Sequence, residues 1–146
     1  MKTKRGNMAS KILIDANVLL DFTLKRDNYA QARKLFSLIV NQELSAYITP
    51  SILHIAGYWL TKAYGTKKAK NILLELLSSV TVIDAPHDIA LAALNSRMTD
   101  IEDALQYYTA LHHQIDYVIS GDKMFKKAAI ASLPVYTVDE FLDEQQ

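Results

Sequence analysis

The feature that most constrains the fold is a run of three aliphatic residues, Ile12, Leu13 and Ile14, which ends abruptly in Asp15. A run this apolar predicts a strand buried on both faces, as in a parallel sheet covered by helices. From Asn17 the apolar spacing becomes helical, and Asn17 is the predicted N-cap of that helix. Asp15 is therefore expected at the carboxyl end of a central strand, where open α/β sheets place their functional sites.

The rest of the chain alternates β-branched stretches with amphipathic helical ones. Further strands are predicted at residues 46–49, 80–83, 116–119 and 135–136. This alternation predicts a three-layer α/β/α sandwich with a parallel sheet of four to five strands. The chain has 146 residues and shows no repeat or linker, so residues 11–146 are predicted to form one domain behind a flexible leader, residues 1–10.

The composition excludes several classes of protein. Half of the residues are hydrophobic and only four are glycine, which is typical of a packed globular domain. Sixteen basic residues balance sixteen acidic ones, so the net charge gives no argument for non-specific binding to nucleic acid. The absence of cysteine excludes disulfides and cysteine zinc sites. No apolar run approaches the ~20 residues of a membrane span, so a soluble, cytoplasmic protein is expected.

Two helices carry apolar stripes that predict which face packs on the sheet. In the helix at residues 100–114 the stripe includes Ile101, Leu105 and Tyr108, so these side chains are expected to be buried and Tyr107 to lie at the mouth of a crevice. Trp59 falls on the stripe of an earlier helix that begins near residue 50, which predicts a core position for its indole ring.

Four aspartates are candidates for a shared site. Asp15 and Asp122 each follow a predicted strand, and the carboxyl ends of parallel strands share one edge of the sheet. Asp100 and Asp103 open a helix at i,i+3 spacing and therefore lie on one side of its first turn. Helix capping explains Asp15 and Asp100 as well as a metal site does.

Convergence of these acids would need a compensating charge. Two carboxylates ~5 Å apart repel by roughly 3 kcal/mol at an effective dielectric constant of about 20. Either one of them keeps a proton or a hard divalent cation lies between them, and all-oxygen ligands favour Mg²⁺ or Mn²⁺ over Zn²⁺. Such ions activate water and neutralise the charge that develops on a phosphate, so phosphodiester hydrolysis is the natural chemistry.

Basic residues flank the candidate site in the sequence. Lys123 and Lys126 follow Asp122, and Arg26 follows the first helix. They are predicted to contact the backbone of a nucleic acid, although a solvated helix face explains each of them equally well.

Three segments together resemble the PIN domain family. They are Ile-Asp-Ala-Asn-Val-Leu-Leu-Asp at 14–21, Asp-Ile-Glu-Asp-Ala-Leu-Gln-Tyr-Tyr-Thr-Ala at 100–110 and Tyr-Val-Ile-Ser-Gly-Asp-Lys-Met-Phe at 117–125. Each motif is weak alone, but their order and spacing resemble more narrowly the toxin nucleases of VapBC-type toxin–antitoxin modules. The likeness covers residues 11–141.

The resemblance implies an endoribonuclease that depends on Mg²⁺ or Mn²⁺. It makes Asp15, Asp103 and Asp122 the catalytic and metal-binding acids, with Asn17, Asp100 and Ser120 in supporting roles. The resemblance also implies RNA as the substrate, a homodimer, a small antitoxin as partner, and no membrane.

One position departs from the family pattern. PIN nucleases typically carry a glutamate on the helix after the second strand, and the matching place here is Ile55, which cannot ligate a cation. His54 or Asp84 could supply a replacement. The alternative function is accordingly a weakened or inactive PIN-like module that binds RNA or protein. A phosphoacceptor signalling domain, with Asp84 as its acceptor, is the second alternative.

Overall fold

A parallel β-sheet of five strands organises the part of the chain that the structure, a computed structural model, describes, which is residues 9–145. The strands are β1 (Ser10–Ile14), β2 (Leu44–Ile48), β3 (Val80–Val82), β4 (Tyr117–Ile119) and β5 (Val135–Tyr136). Their order in the sheet is β3-β2-β1-β4-β5, and every pair is parallel. Because the strand order reverses at β1, a crevice is expected beyond its carboxyl end.

Eight helices flank this sheet in the described residues. They are α1 (Ala16–Thr23), α2 (Tyr29–Val40), α3 (Pro50–Tyr64), α4 (Thr66–Leu76), α5 (His87–Leu94), α6 (Ile101–His112), α7 (Lys123–Ala128) and α8 (Val138–Glu144). The prediction of an α/β/α sandwich with a parallel sheet is confirmed. None of these helices is long and apolar enough to cross a membrane.

The central strand β1 is buried as its composition predicts. Ile12, Leu13 and Ile14 are inaccessible to solvent. Leu13 pairs with Tyr47 of β2 on one side and with Val118 of β4 on the other, so β1 has hydrogen-bonded neighbours along both edges. A strand covered on both faces and paired on both edges has room only for apolar side chains, which explains the unbroken aliphatic run.

The strand begins slightly before the predicted domain boundary. Ser10 is the first residue of β1, because it pairs with Leu44 in the parallel ladder. Most of the predicted leader, residues 1–8, lies outside the described residues.

Helix α6 packs with a different face from the one its apolar residues predict. Its buried side chains include Asp103, Gln106 and Tyr107, whereas Ile101 is 64% exposed. The prediction that Tyr107 lies at the mouth of the crevice is wrong. Its hydroxyl donates to the carbonyl of Leu133 (2.7 Å) and accepts from the amide of Ile130 (2.8 Å), so the ring is held in the core.

The prediction for Trp59 is also wrong. The indole is 46% exposed and lies edge-on to Tyr58, with the ammonium group of Lys62 5.5 Å from its ring centre. The core face of α3 is instead formed by Ile52, Ala56 and Leu60, whose i,i+4 spacing matches the helical repeat.

Candidate functional site

Asp15 lies at the end of β1 and is only 7% exposed. One carboxylate oxygen, Oδ1, accepts a hydrogen bond from the backbone amide of Ala16 (2.7 Å). The other, Oδ2, accepts one from the Ser120 hydroxyl (2.7 Å). Asp15 is therefore the N-cap of α1, and the predicted N-cap Asn17 is wrong because the helix begins directly after Asp15, one residue ahead of Asn17.

Ser120 connects two of the predicted acids. Its side chain is buried after β4, where its hydroxyl donates to Asp15 and its oxygen accepts from the backbone amide of Asp122 (3.1 Å). This bridge fixes the loop after β4 against the end of β1. Ser120 therefore holds the Asp15 carboxylate in one orientation.

Asp103 is a buried carboxylate on the first turn of α6. It is 7% exposed, and no described residue donates a hydrogen bond to its side chain. Burial, followed by the charges of Asp100, Asp122, Asp15 and Glu102 in that order, raises the pKa of the Asp103 carboxyl to about 7. A carboxyl with so high a pKa reports a site where negative charge is crowded.

The Asp15 carboxyl shows the same crowding of negative charge. Burial raises the pKa of Asp15 above its ordinary value, with contributions from Asp122 and Asp100, although its hydrogen bonds act in the opposite direction. The acids Asp15, Asp100, Glu102, Asp103 and Asp122 thus form one group, which we call the acidic cluster. Beyond burial, the charges of Asp122 and Asp15 both raise the pKa of Asp103, so the three predicted acids act electrostatically on one site.

Asp100 and Asp122 also cap helices. The Oδ1 atom of Asp100 accepts from the amide of Asp103 (2.9 Å), and that of Asp122 accepts from the amides of Met124 (2.9 Å) and Phe125 (3.3 Å). Each cap uses one carboxylate oxygen, so Oδ2 remains available on both residues. Capping and ion binding are therefore compatible in these side chains.

Glu102 is the member of the cluster that the sequence analysis missed. Burial raises its pKa, as do the charges of Asp15 and Asp100, and its Oε1 accepts a hydrogen bond from Nε2 of Gln106 (3.2 Å). Its position between Asp100 and Asp103 in the sequence could have identified it as a member of the cluster. A glutamate in the first turn of a helix is, however, fully explained by its favourable interaction with the helix dipole.

The donor set suits a hard divalent cation, although the side chains do not enclose one. Within residues 9–145, no three acidic or histidine side chains stand close enough together to hold a metal ion. Every member of the acidic cluster is nevertheless an oxygen donor, and no described basic residue forms an ion pair with any of them. Uncompensated carboxylates with raised pKa values are the groups that Mg²⁺ or Mn²⁺ would stabilise.

A cavity of about 590 Å³ opens beside the cluster. Its lining includes Asn17 from α1, Asp122 at the start of α7, and Thr137 before α8. Asn17 is exposed there, on the same side as Asp122. The cavity is large enough for part of a polymeric ligand to approach the exposed acid.

The three basic residues that were predicted to contact nucleic acid differ in whether their side chains already bind other groups of the protein. The Arg26 guanidinium donates to Asp21 (2.9 Å) and to the carbonyl of Asn17 (2.9 Å), and the ammonium group of Lys126 pairs with Glu140. Lys123 is exposed, and it forms no ion pair with any residue between 9 and 145. Of these three basic residues in the described part of the chain, only Lys123 is therefore free to contact a phosphate without breaking an internal contact.

His54 and Asp84, the candidates for replacing the missing glutamate, are exposed residues outside the acidic cluster. Ile55 is half-buried against the core, and His54 is exposed on α3. Asp84 is exposed after β3, where its Oδ1 accepts from the amide of Ala85 (2.8 Å). Neither His54 nor Asp84 is among the groups that shift the pKa of Asp15 or Asp103.

The parallel sheet and the acids that lie beyond the end of its central strand together define the class of this protein, an α/β protein with an acidic crevice. Residues 11–124 match the family model described as PIN domain. The chain belongs to the PIN domain family. No curated protein sequence matches it significantly.

Solved structures share the fold. VapBC2 from Rickettsia felis, bound to a DNA fragment from its promoter, matches 86% of this chain and 96% of its own at 16% identity and a TM-score of 0.63. VapC20 from Mycobacterium tuberculosis, a Sarcin-Ricin loop cleaving toxin, matches 84% and 98% at 14% identity and a TM-score of 0.64. A toxin–antitoxin complex from Klebsiella pneumoniae matches 84% and 94% at 21% identity and a TM-score of 0.65. At these identities the likeness shows the fold.

Proposed function

We propose that this PIN domain is an endoribonuclease that uses Mg²⁺ or Mn²⁺ to hydrolyse phosphodiester bonds. The observation that carries the proposal is the acidic cluster, in which Asp15 and Asp103 are both buried and have raised pKa values. Burying charged groups without a partner is costly, so such a pair is retained where a cation or a reaction requires it. RNA cleavage by the similar VapC20 toxin supports RNA as the substrate.

In this proposal the acids divide into ligands and supports. In the metal-bound form, Asp15, Asp103 and Asp122 would hold the ion, which would supply activation of water and neutralise charge on the phosphate. Ser120 keeps Asp15 oriented through its hydroxyl, and Asp100 fixes the first turn of α6 through the amide of Asp103. Asn17 faces the adjoining cavity, where an amide can bind water or substrate.

Glu102 is proposed to supply the carboxylate that Ile55 cannot. It belongs to the acidic cluster, and the charges of Asp15 and Asp100 raise its pKa. The hydrogen bond from Gln106 limits where its carboxylate can point. In this proposal, Glu102 on α6 takes the role of the glutamate that other PIN nucleases carry on the helix corresponding to α3.

We also propose that the nuclease is a toxin with a small antitoxin and that it forms a homodimer in the cytoplasm. The similar VapBC2 and Klebsiella pneumoniae structures are of toxin–antitoxin pairs. Tyr58 and Trp59 form an exposed aromatic pair on α3 that suits a partner helix, and Leu94 and Ile101 leave an apolar surface between α5 and α6 that suits a second copy. Sedimentation of the unmodified chain alone tests whether it forms a homodimer.

The alternative function is a PIN-like module that binds RNA or protein without cutting. The isoleucine at position 55 favours it, since that position carries no ligand. A weakened nuclease would show slow cleavage, whereas a binding module would show none and would lack a tight Mn²⁺ site.

Cleavage of a mixed RNA pool distinguishes these functions. The proposal expects cleavage with Mn²⁺, none with EDTA, and loss of at least a hundredfold in Asp103→Asn. Glu75→Gln is the matched control, because it removes one exposed carboxylate from α4 while leaving the acidic cluster intact. Equal cleavage by Asp103→Asn and Glu75→Gln would contradict the assignment.

A further inference from the structure

The side chain of Gln106 is buried with half of its amide unsatisfied. The residue is 1% exposed, and its Oε1 has no hydrogen-bond partner within the described residues. The orientation of the amide is fixed chemically, because Nε2 donates to the Glu102 carboxylate, which can only accept. A buried acceptor left without a donor is unfavourable, so Oε1 calls for a partner that the chain itself does not supply.

Gln106 lines a cavity of about 220 Å³ that is separate from the one beside Asp122. Apolar walls are provided by Pro50, Ile89 and Ala90, and polar groups by Thr49 and Asp84. The volume is below the roughly 300–1,000 Å³ of sites for drug-sized ligands, so it suits one flat group of the size of a single nucleobase, with polar edges. Apolar walls around a few polar groups are the usual surroundings of an unstacked nucleobase.

The cavity adjoins the acidic cluster through two elements. The pairing of Leu13 with Tyr47 places Thr49, two residues further along, level with Asp15 on the neighbouring strand end. Adjacent strands are about 4.8 Å apart. On α6, Gln106 follows Asp103 by three residues, and side chains at that spacing lie on the same face. A polymer with a phosphate at the cluster would place an adjoining base at this cavity.

The hydrogen-bonding groups of the cavity select among bases. Two side-chain atoms can only accept: Oε1 of Gln106 and Oδ2 of Asp84, whose Oδ1 is used by the amide of Ala85. The hydroxyls of Thr49 and Ser51 can donate or accept, so they do not discriminate between bases. Guanine offers two adjacent donors, N1–H and the N2 amino group. Adenine and cytosine carry an unprotonated ring nitrogen beside their amino group, and uracil carries one N–H between two carbonyls. Each of these three bases would therefore place one of its own acceptors against an acceptor of the cavity.

We propose that this cavity binds a guanine base of the RNA next to the cleaved phosphate, with Gln106 and Asp84 as its specificity determinants. The identification of the ligand as RNA rests on the proposed function. The base preference rests on the unsatisfied Gln106 oxygen and the acceptor-rich lining of the cavity.

Nucleotide binding tests the cavity without requiring cleavage. Guanosine, adenosine, cytidine and uridine 5′-monophosphates are titrated against the metal-free full chain and followed by NMR chemical shifts. Guanosine monophosphate is expected to bind at least tenfold more tightly than the other three. Ala90→Phe, which fills the cavity from a half-buried wall position, is expected to remove that preference, as is Gln106→Leu.

Ala63→Phe is the matched control, because it adds the same ring to an exposed site on α3. It is expected to keep the preference for guanosine monophosphate. Equal binding of all four nucleotides by the unmodified chain, or a guanine preference that survives Ala90→Phe, would overturn the proposal.

Sequencing of the ends produced from a random RNA pool separates this proposal from the nuclease assignment. Guanine enriched at one position beside the cut, with the enrichment lost in Ala90→Phe, supports both. Cleavage without any base preference rejects the guanine cavity and leaves the nuclease assignment standing. Absence of cleavage together with selective binding of guanosine monophosphate rejects the nuclease and retains the cavity.

Discussion

Replacing Asp103 by asparagine is expected to stabilise the metal-free protein at neutral and alkaline pH. The pKa of its carboxyl rises from an ordinary 3.8 to about 7 in the folded chain. The folded state therefore binds the proton more tightly than the unfolded state does. The contribution of this carboxyl to stability is fully present below about pH 4 and is lost as the pH rises through about 7, where the buried carboxyl ionises.

The size of the effect follows from the shift in pKa. One pKa unit corresponds to about 1.4 kcal/mol, so about three units give roughly 4 kcal/mol at pH 8, and contact with solvent reduces this toward about 2 kcal/mol. Asparagine has nearly the same shape but carries no charge. Asp103→Asn is accordingly expected to raise the free energy of unfolding by about 2–4 kcal/mol at pH 8 and by less than about 0.5 kcal/mol at pH 4.

Urea denaturation in EDTA, followed by circular dichroism from pH 4 to pH 8, measures this difference. Glu75→Gln, the control on α4, is expected to show no gain that depends on pH. A gain in Asp103→Asn of the same size at both ends of the range would refute the reasoning, because a charge effect must vanish once the carboxyl is protonated. A hundredfold excess of Mn²⁺ over Kd is expected to narrow the difference, because it stabilises the unmodified chain by about 2.7 kcal/mol.

Three further substitutions test other parts of the structure. Ser120→Ala removes the hydroxyl that donates to Asp15 and is expected to weaken Mn²⁺ binding by about 10–100-fold, as measured by calorimetry. An unchanged Mn²⁺ affinity would contradict a supporting role for Ser120. Tyr107→Phe leaves the Leu133 carbonyl and the Ile130 amide unpaired and is expected to cost about 1–3 kcal/mol in urea denaturation, so a neutral result would show that this hydroxyl is dispensable. Leu13→Ala in β1 is expected to cost about 2–5 kcal/mol by the same measurement, and a loss below 1 kcal/mol would show that the sheet repacks.

Much of the fold could be predicted because its signals are local. The aliphatic run before Asp15 predicted a strand buried on both faces, and that strand is the centre of the sheet. The alternation of strands with helices predicted parallel pairing, since a helix must carry the chain back across the sheet. Parallel strands end at one edge, so the sequence also indicated that Asp15 and Asp122 belong together.

The rotation of α6 could not be predicted from its composition. Ile101 and Leu105 are exposed, while Asp103, Gln106 and Tyr107 face inward. Hydrophobic periodicity assumes that the most apolar face is buried. Here the backbone of Ile130 and Leu133 satisfies the Tyr107 hydroxyl, which allows that face of the helix to turn inward.

The sequence by itself determined three features of the protein: a buried central strand, acids that follow the end of that strand, and helices that return the chain across the sheet. Only the tertiary structure decided that Glu102 joins the acidic cluster, that Trp59 is exposed, and that Gln106 lies buried with a free oxygen beside a cavity. The reason is physical. A pattern along the chain records which residues repeat, whereas the surroundings of a side chain depend on elements that are distant in sequence and meet only when the chain folds.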